Sequence, residues 1–506
     1  MDLTKIIKAY DVRGLVGTEL TPKVAYAIGA AFARVVVLPE HMLALEVADV
    51  AAGLAGGGGA AGDSGTHNLP AYSRPKVVIG NDMRGSGEEL VAAFSQGLIE
   101  AGVDVIQIGL CSTDGLYYAA ASRNIAGAMF TASHNPAAYN GIKMCYPGAR
   151  PVGEETGLAE IRALAQRYLD SNMAPVVPDG EMGQIHAEND LPDYARFLNS
   201  LVDISKIRPL KVVIDAGNGM GGYTAPTVLG PISGAPLELV PLYWELDGNF
   251  PNHEANPLDP ANLVDLQAAV VATGADLGLA FDGDADRCFV VDEKGQRVSP
   301  SVISILVGLR ELARAAVADG KAPTLIYNLI SSRAVPERFE AAGAQTVRTR
   351  VGHSFIKAQM AEHDAVFGGE HSGHYYFRDF WFADSGMLAA LHVLAALGSQ
   401  PLPLSELAAQ YQPYVQSGEI NSRVPDVAAV RDQVVAAIQG IHPEVAVDSL
   451  DGVTVSRWDA GNGPKWWFNL RGSNTEPLLR LNVEAEDQAT MEQVRDMVLA
   501  EIAAAS

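Results

Sequence analysis

Asp282, Asp284 and Asp286 stand at alternate positions in the run Phe281-Asp282-Gly283-Asp284-Ala285-Asp286-Arg287. On an extended backbone this alternation turns all three carboxylates to one side. At about 6 Å and an effective dielectric of about 20, each pair repels by roughly 3 kcal/mol, a cost that a bound divalent cation removes. All-oxygen ligands suit Mg²⁺, which takes a few carboxylates together with a substrate phosphate rather than a closed protein cage. A calcium hand competes, because Glu293 falls at its twelfth position, but Arg287 replaces the glycine at the sixth and Cys288-Phe289-Val290-Val291 continues as a strand. The reading without a ligand is an exposed acidic turn.

A second polar burst, Thr131-Ala132-Ser133-His134-Asn135-Pro136, follows the apolar run Ala126 to Phe130. A serine beside a histidine suggests hydrolysis, yet neighbouring side chains on an extended segment point opposite ways. No Gly-x-Ser-x-Gly elbow surrounds Ser133. By itself the burst reads first as an ordinary turn with local Ser and Asn hydrogen bonds. Lys143 reaches Ser133 if the loop folds back. A serine, three aspartates and cations together suit phosphoryl transfer, which needs positioning and charge neutralisation above all.

Two further bursts offer binding groups. In Gly369-Glu370-His371-Ser372-Gly373-His374, Glu370 and Ser372 present an acceptor and a donor suited to sugar hydroxyls, or simply a turn. In Arg471-Gly472-Ser473-Asn474-Thr475, a guanidinium, hydroxyls and backbone N–H groups can surround a phosphate. The same composition makes a hairpin turn. Gly217-x-Gly219-x-x-Gly222 matches the dinucleotide fingerprint, but it stands directly behind Asp215, whose charge opposes a pyrophosphate. A close strand–helix turn accounts for it.

The elements that must carry these bursts recur. Short apolar strands at Val77-Val78-Ile79, Val212-Val213-Ile214 and Leu325-Ile326-Tyr327 each lead into a polar turn, of which Gly80-Asn81-Asp82 is the first. A helix, a second strand such as Val105 to Ile108 or Leu237 to Val240, and another helix follow. A last apolar strand then ends in one of the bursts. Alternating strands and helices predict α/β units with largely parallel sheets, whose sites gather beyond the carboxyl ends of the strands. Leu450 to Glu484 reads instead as short strands, followed by a helix from about Gln488 to Ala505, a fourth, α+β domain. The expected domains are 1–190, with a flexible Gly-rich insertion at about 40–75, then 191–296, 297–412 and 413–506.

Composition agrees. The chain has 506 residues, 48% of them hydrophobic and 19% charged, which excludes global disorder. Its net charge of −24 repels nucleic acid and anionic membrane at long range, so an anionic substrate must meet a locally basic site. Cys111, Cys145 and Cys288 form no C-x-x-C pair, which suggests a reducing compartment and predicts a cytoplasmic protein. No leader peptide is evident at Met1 to Lys8, and about Met42 to Ala61 is too polar and glycine-rich to span a membrane.

The four bursts, in this order, resemble the phosphoserine loop, three-aspartate metal loop, sugar-binding loop and C-terminal phosphate loop of the α-D-phosphohexomutases. The opening Lys8-Ala9-Tyr10-Asp11-Val12-Arg13-Gly14 also resembles that family's start, and the likeness spans nearly the whole chain. It is most similar to the bacterial phosphomannomutase/phosphoglucomutase branch. Phosphoglucosamine mutases tend to carry Gln where His371 stands, and the eukaryotic-type phosphoglucomutases a second Glu.

The resemblance implies three similar α/β domains and a C-terminal α+β domain around a central cleft. It makes Ser133 the phosphorylated serine, with Asp282, Asp284 and Asp286 holding Mg²⁺ beside it. His134, Lys143, Arg13 and Arg287 would surround the transferring group, with Lys143 and His374 candidates for proton transfer. His353, Glu370 and Ser372 would contact the sugar, and Arg471, Ser473, Asn474 and Thr475 the distal phosphate. The reaction implied interconverts hexose 6-phosphate and hexose 1-phosphate, of mannose or glucose, through a hexose 1,6-bisphosphate that also serves as activator. A monomer or weak dimer is expected.

Relatives often carry a lysine where this chain has Ile330, and the insertion has no counterpart. A phosphoglucosamine mutase, a metal-dependent serine phosphatase and a silent sugar-phosphate-binding protein are the competing functions. The last would usually have lost Ser133 or an aspartate.

Overall fold

The computed structural model describes residues 2–8, 10–44, 74–174, 176–319, 322–472 and 478–505. They fold into two compact units, one of Met1–Gly295 with Tyr376–Ser399, the other of Gln296–Tyr375 with Gln400–Ser506. The architecture is three α/β domains and a C-terminal domain, as the strand–helix alternation predicts. The chain remains helical through Ala44, so the first residues of the expected insertion continue a helix, and positions 45–73 lie outside the described residues.

In the first unit, the opening sheet runs in the order Val12–Leu15, Tyr139–Cys145, Ala126–Phe130, Lys76–Asn81, Asp104–Leu110, Ile185–Ala187. Its centre is parallel, and Tyr139–Cys145 returns antiparallel to Ala126–Phe130. Val77, Val78 and Ile79 are all buried, as an unbroken apolar run requires when helices cover both faces. Helix Pro22–Phe32 starts at Thr21, whose hydroxyl accepts the Val24 N–H, with Pro22 in the first turn. It crosses helix Gly87–Glu100 at contact distance: a Cβ on Gly29 would lie 2.2 Å from Phe94 O, and one on Gly97 2.4 Å from Tyr26 O. The full helix Pro22–Ala44 is long and apolar enough to cross a membrane. Here Val24, Ala27, Ile28 and Ala31 join Phe94 and Leu98 in the domain core.

The second sheet places Leu237–Leu242, Leu210–Asp215, Leu277–Phe281 and Cys288–Asp292 side by side, the last antiparallel to its neighbour. Phe281 faces Cys288 in register, so the segment Asp282 to Arg287 closes a hairpin. Helix Gly386–Gly398 belongs to this same unit and is buried along nearly its whole length. A Cβ on Gly386 would lie 2.7 Å from Arg287 O, so this helix begins directly behind the acidic loop.

In the second unit, Gln345–Thr349, Thr324–Asn328 and Phe367–Gly369 are parallel neighbours. The C-terminal sheet is antiparallel throughout, in the order Val415–Arg423, Leu478–Ala485, Trp466–Gly472, Val453–Ser456, Ala446–Asp448. Helices Val427–Ile441 and Gln488–Ala505 cover it, burying Val434, Ile438, Val498 and Ile502 with Phe468, Leu470 and Leu481. The sequence signal for Val415–Arg423 and for Val427–Ile441 lies upstream of the expected strands. Asp426, which caps that helix through Ala428 N and Ala429 N, is its clearest marker.

Candidate active site

Ser133 leaves the end of strand Ala126–Phe130, buried, with φ +50°. The left-handed backbone costs a non-glycine residue about 1–2 kcal/mol, and it corrects the extended geometry expected for this burst. The chain turns at Ser133, so its hydroxyl and the His134 ring fall on the same side, with Oγ 3.3 Å from Nδ1. Ser133 Oγ donates to Asp282 Oδ2 at 2.8 Å, and Arg287 Nη2 donates to Ser133 Oγ at 3.2 Å. Arg287 also hydrogen-bonds His134 Nδ1. The serine hydroxyl therefore meets a carboxylate, a guanidinium and an imidazole at once.

The acidic loop is a turn, not an extended strand end. Ala285 has φ +59°, and the three carboxylates converge because the hairpin closes, each offering an oxygen within 4.8 Å of the others. Only glycine fits at position 283, where a Cβ would lie 2.4 Å from Ser133 O, so the two loops touch backbone to backbone. Lys143, which lies opposite Met129 in the sheet register, donates to Asp284 Oδ2 at 2.7 Å and Asp286 Oδ2 at 2.6 Å. Thr113, at the start of helix Thr113–Arg123, donates its hydroxyl to Asp284 Oδ2 at 2.6 Å. Arg13 donates to Ala132 O at 3.4 Å and to Asn135 Oδ1, and is braced by Asp11 at 3.0 Å.

Burial pushes the Asp282 carboxyl up to about 7, with Asp286 and Asp284 adding to the rise and Arg287 opposing it. For Asp284, burial and Asp286 push upward, but the Lys143 ammonium and the Thr113 hydroxyl outweigh them and hold it below its ordinary value. Lys143 is disfavoured by burial, yet Asp284 and Asp286 raise it well above the usual lysine range, so it stays charged. Three buried carboxylates facing one lysine and one arginine leave an excess of negative charge. Asp284 Oδ1 is buried with no hydrogen-bond partner among the described residues. An all-oxygen donor set with an orphaned buried oxygen fits a hard divalent cation.

The second unit carries the binding bursts. Glu370 is buried at the end of strand Phe367–Gly369, and its Oε1 accepts the Gly352 N–H at 3.2 Å. Ser372 Oγ lies 3.3 Å from Glu370 Oε2 and 3.0 Å from His374 Nδ1, so the three side chains form one cluster. His371 is pushed down to about 4 by burial, with Arg297 reinforcing the shift, so its ring is neutral at pH 7. Arg471, on strand Trp466–Gly472, lies 3.6 Å from Glu419 and 4.0 Å from Asp451. Burial lowers its pKa, and Asp451, Glu419 and Glu370 work against that shift.

Of the expected site residues, the first unit brings together Ser133, His134, Lys143, Arg287, Arg13 and the three aspartates. The second brings together Glu370, Ser372 and His374 and presents Arg471. Ser473, Asn474 and Thr475 lie outside the described residues, as does the His353 side chain. Ile330 is buried beyond strand Thr324–Asn328. Thr113, Asp82, Arg84, Glu419 and Asp451 were not anticipated, because each acts through contacts between segments distant in sequence. The Gly80-Asn81-Asp82 turn was the one available signal.

Family models match the chain in four consecutive pieces: "Phosphoglucomutase/phosphomannomutase, alpha/beta/alpha domain I" over residues 60–171, domain II over 192–295, domain III over 304–414, and the C-terminal domain over 419–501. A phosphomannomutase of Escherichia coli K12 is 36% identical over 502 residues, covering 97% of each chain. A protein of Xanthomonas campestris described as "Phosphohexose mutases" is 38% identical over 491 residues, covering 96% of each. Among solved structures, a phosphoglucomutase/phosphomannomutase family protein from Burkholderia thailandensis superimposes with a TM-score of 0.78 at 31% identity, covering 100% of this chain and 98% of that one.

Proposed function

The chain belongs to the phosphoglucomutase/phosphomannomutase family, and from that premise we propose that it interconverts hexose 6-phosphate and hexose 1-phosphate using Ser133 as the phosphoryl carrier. The observation that carries this reading is the Ser133 hydroxyl, held at 2.8 Å by Asp282 and at 3.2 Å by Arg287 in a buried pocket of charge. A serine that merely hydrogen-bonds within a turn has no need of cations around it. A phosphoserine, bearing about two negative charges, does.

In the forward step, the bond between phosphorus and Ser133 Oγ breaks as a bond to the free sugar hydroxyl forms. The sugar hydroxyl gives its proton to His374 as the new bond forms, and Ser133 Oγ takes up a proton from solvent as it leaves, which restores the hydroxyl that donates to Asp282 until the second transfer. Lys143, held protonated by two carboxylates, places a cation beside the acidic loop. The product is a hexose 1,6-bisphosphate, which presents its other phosphate to Ser133 Oγ and restores the phosphoserine. Asp282, Asp284 and Asp286 would hold Mg²⁺, which when bound neutralises charge on the transferring group. Glu370 and Ser372 hold sugar hydroxyls, and Arg471 the phosphate that is not transferred.

Glu370 and Ser372 are assigned to the 3- and 4-hydroxyls, which glucose and mannose share. A site that does not read C2 leaves no group unpaired with either epimer and discriminates weakly. Coupled assays with mannose, glucose and glucosamine phosphates in parallel, together with a measurement of inorganic phosphate, test the reading. Turnover of both mannose and glucose phosphates with little phosphate release is expected. Stoichiometric phosphate release would replace the mutase with a phosphatase.

A further inference from the structure

We propose that Arg84 is a positioning residue that holds the Ser133 backbone in the conformation from which its hydroxyl carries the phosphoryl group; the proposal rests on Ser133 being that carrier. Arg84 is 3% exposed, beneath the serine loop. Its Nη2 donates to Ser133 O at 2.9 Å and Asn135 O at 2.7 Å. Its Nη1 donates to Pro136 O and Tyr139 O, both at 2.9 Å, and its Nε to Asp82 Oδ2 at 3.2 Å. All five guanidinium N–H groups are thereby used, none is left for a substrate, and four carbonyl dipoles converge on one cation.

The other side of the same residue is tied to the same pair. Ser133 N donates to Thr131 Oγ1 at 2.8 Å, and the Thr131 hydroxyl is in turn bonded to Asp82. Asp82 also accepts the Arg84 backbone N–H at 3.0 Å, which fixes the arginine that fixes the loop. Both the N–H and the C=O of a residue with left-handed φ are thus clamped by Asp82 and Arg84. The Phe250 ring stacks 5.1 Å from the guanidinium, and only glycine fits at position 248, where a Cβ would lie 2.8 Å from Arg84 Cα. A lysine in this place keeps the charge but offers three donors from one point and cannot reproduce the fork.

The experiment compares Arg84→Lys with the parent in single-turnover transfer from isolated phosphoenzyme to hexose monophosphate, counting rate per mole of phosphoserine. The transfer rate should fall by about 10²-fold, the penalty of misplacing a reacting group by an ångström or so. The KM for hexose phosphate should stay within about threefold, since no binding group is touched. A merely structural arginine would reduce the amount of folded enzyme and leave the rate per phosphoserine unchanged, which would overturn the proposal. If Arg84→Lys does not fold, Asp82→Asn is measured in the same way, with a fall of about tenfold expected and a parental rate counting against the clamp. Ser133→Ala runs alongside. Parental mutase activity there removes the carrier itself, whereas an inactive Ser133→Ala with a normal Arg84→Lys removes only the positioning role.

Discussion

Around Ser133 the charged side chains are already paired at close range, and around Arg471 they are not. Ser133 meets Asp282 at 2.8 Å and Lys143 meets Asp284 and Asp286 at 2.7 and 2.6 Å, with the serine and all three carboxylates buried. Arg471 approaches Glu419 and Asp451 no closer than 3.6 and 4.0 Å, and its buried Nε has no partner among the described residues. The first region behaves as a preorganised electrostatic site, where charge is fixed before reaction and little rearrangement remains. The second leaves a guanidinium underpaired, so that an incoming anion satisfies donors the protein does not. Chemistry and recognition are thus built on opposite principles in the two units.

The sharpest way to break that contrast is Ser133→Ala. It should lower mutase turnover by at least about 10⁴-fold, while hexose phosphate binding, measured by calorimetry, persists, because Glu370, Ser372 and Arg471 are untouched. The parent protein should show a phosphorylated peptide containing Ser133 by mass spectrometry, and dephosphorylated protein should need a trace of hexose 1,6-bisphosphate for activity. Parental turnover in the variant would refute the carrier role.

Asp284→Asn comes next. It removes one negative charge at the atom where Lys143 and Thr113 meet, so both the cation site and the lysine lose their anchor. Turnover should drop by about 10²-fold, with a rightward shift of the Mg²⁺ activation curve after EDTA treatment and unchanged secondary structure. Parental activity at limiting Mg²⁺ would place the aspartate outside the metal's ligands.

The two regions also differed in how far the sequence revealed them. Three apolar strands each followed by a polar burst made the α/β repeats legible, and Phe281 and Cys288 bracket the acidic loop as the sequence suggests. What alternation and adjacency could not supply was the local backbone. Left-handed residues at Ser133 and Ala285 overturn both the extended serine segment and the extended aspartate segment, yet they bring the same side chains together. A positive φ at serine or alanine is imposed by tertiary contacts, here by the abutting Gly283, and carries no compositional mark. The helix Gly386–Gly398, which returns to the first unit behind the acidic loop, and the Thr113 contact are equally invisible, because they join segments about 100 and 171 residues apart.

Arg471→Gln sharpens the contrast from the recognition side. A guanidinium that holds the non-reacting phosphate binds ground state and transition state alike, so its loss should appear chiefly in KM. An increase of about tenfold in KM for hexose phosphate, with kcat changed by less than about threefold, is expected. A fall in kcat as large as that of Asp284→Asn, with KM unchanged, would show that Arg471 belongs to the transfer chemistry.

The smallest effect concerns His371, between Glu370 and Ser372. Burial and the like charge of Arg297 lower its pKa from 6.5 to about 4, so the folded loop takes up a proton less readily than the unfolded chain. Its contribution is therefore fully present above about pH 6.5 and is lost as the pH falls towards 4. Acid places a cation in a loop already facing Arg297 and disturbs the neighbours that hold the sugar. Because His371 keeps part of its surface exposed, solvent screens much of the penalty, and the expected change is modest. Between about pH 6.5 and 4, the KM of the parent should rise about twofold more than that of His371→Gln. The substrate's own phosphate titrates identically in both proteins and cancels in the ratio of KM values. Equal rises in the two proteins would show that the histidine does not couple protonation to sugar binding.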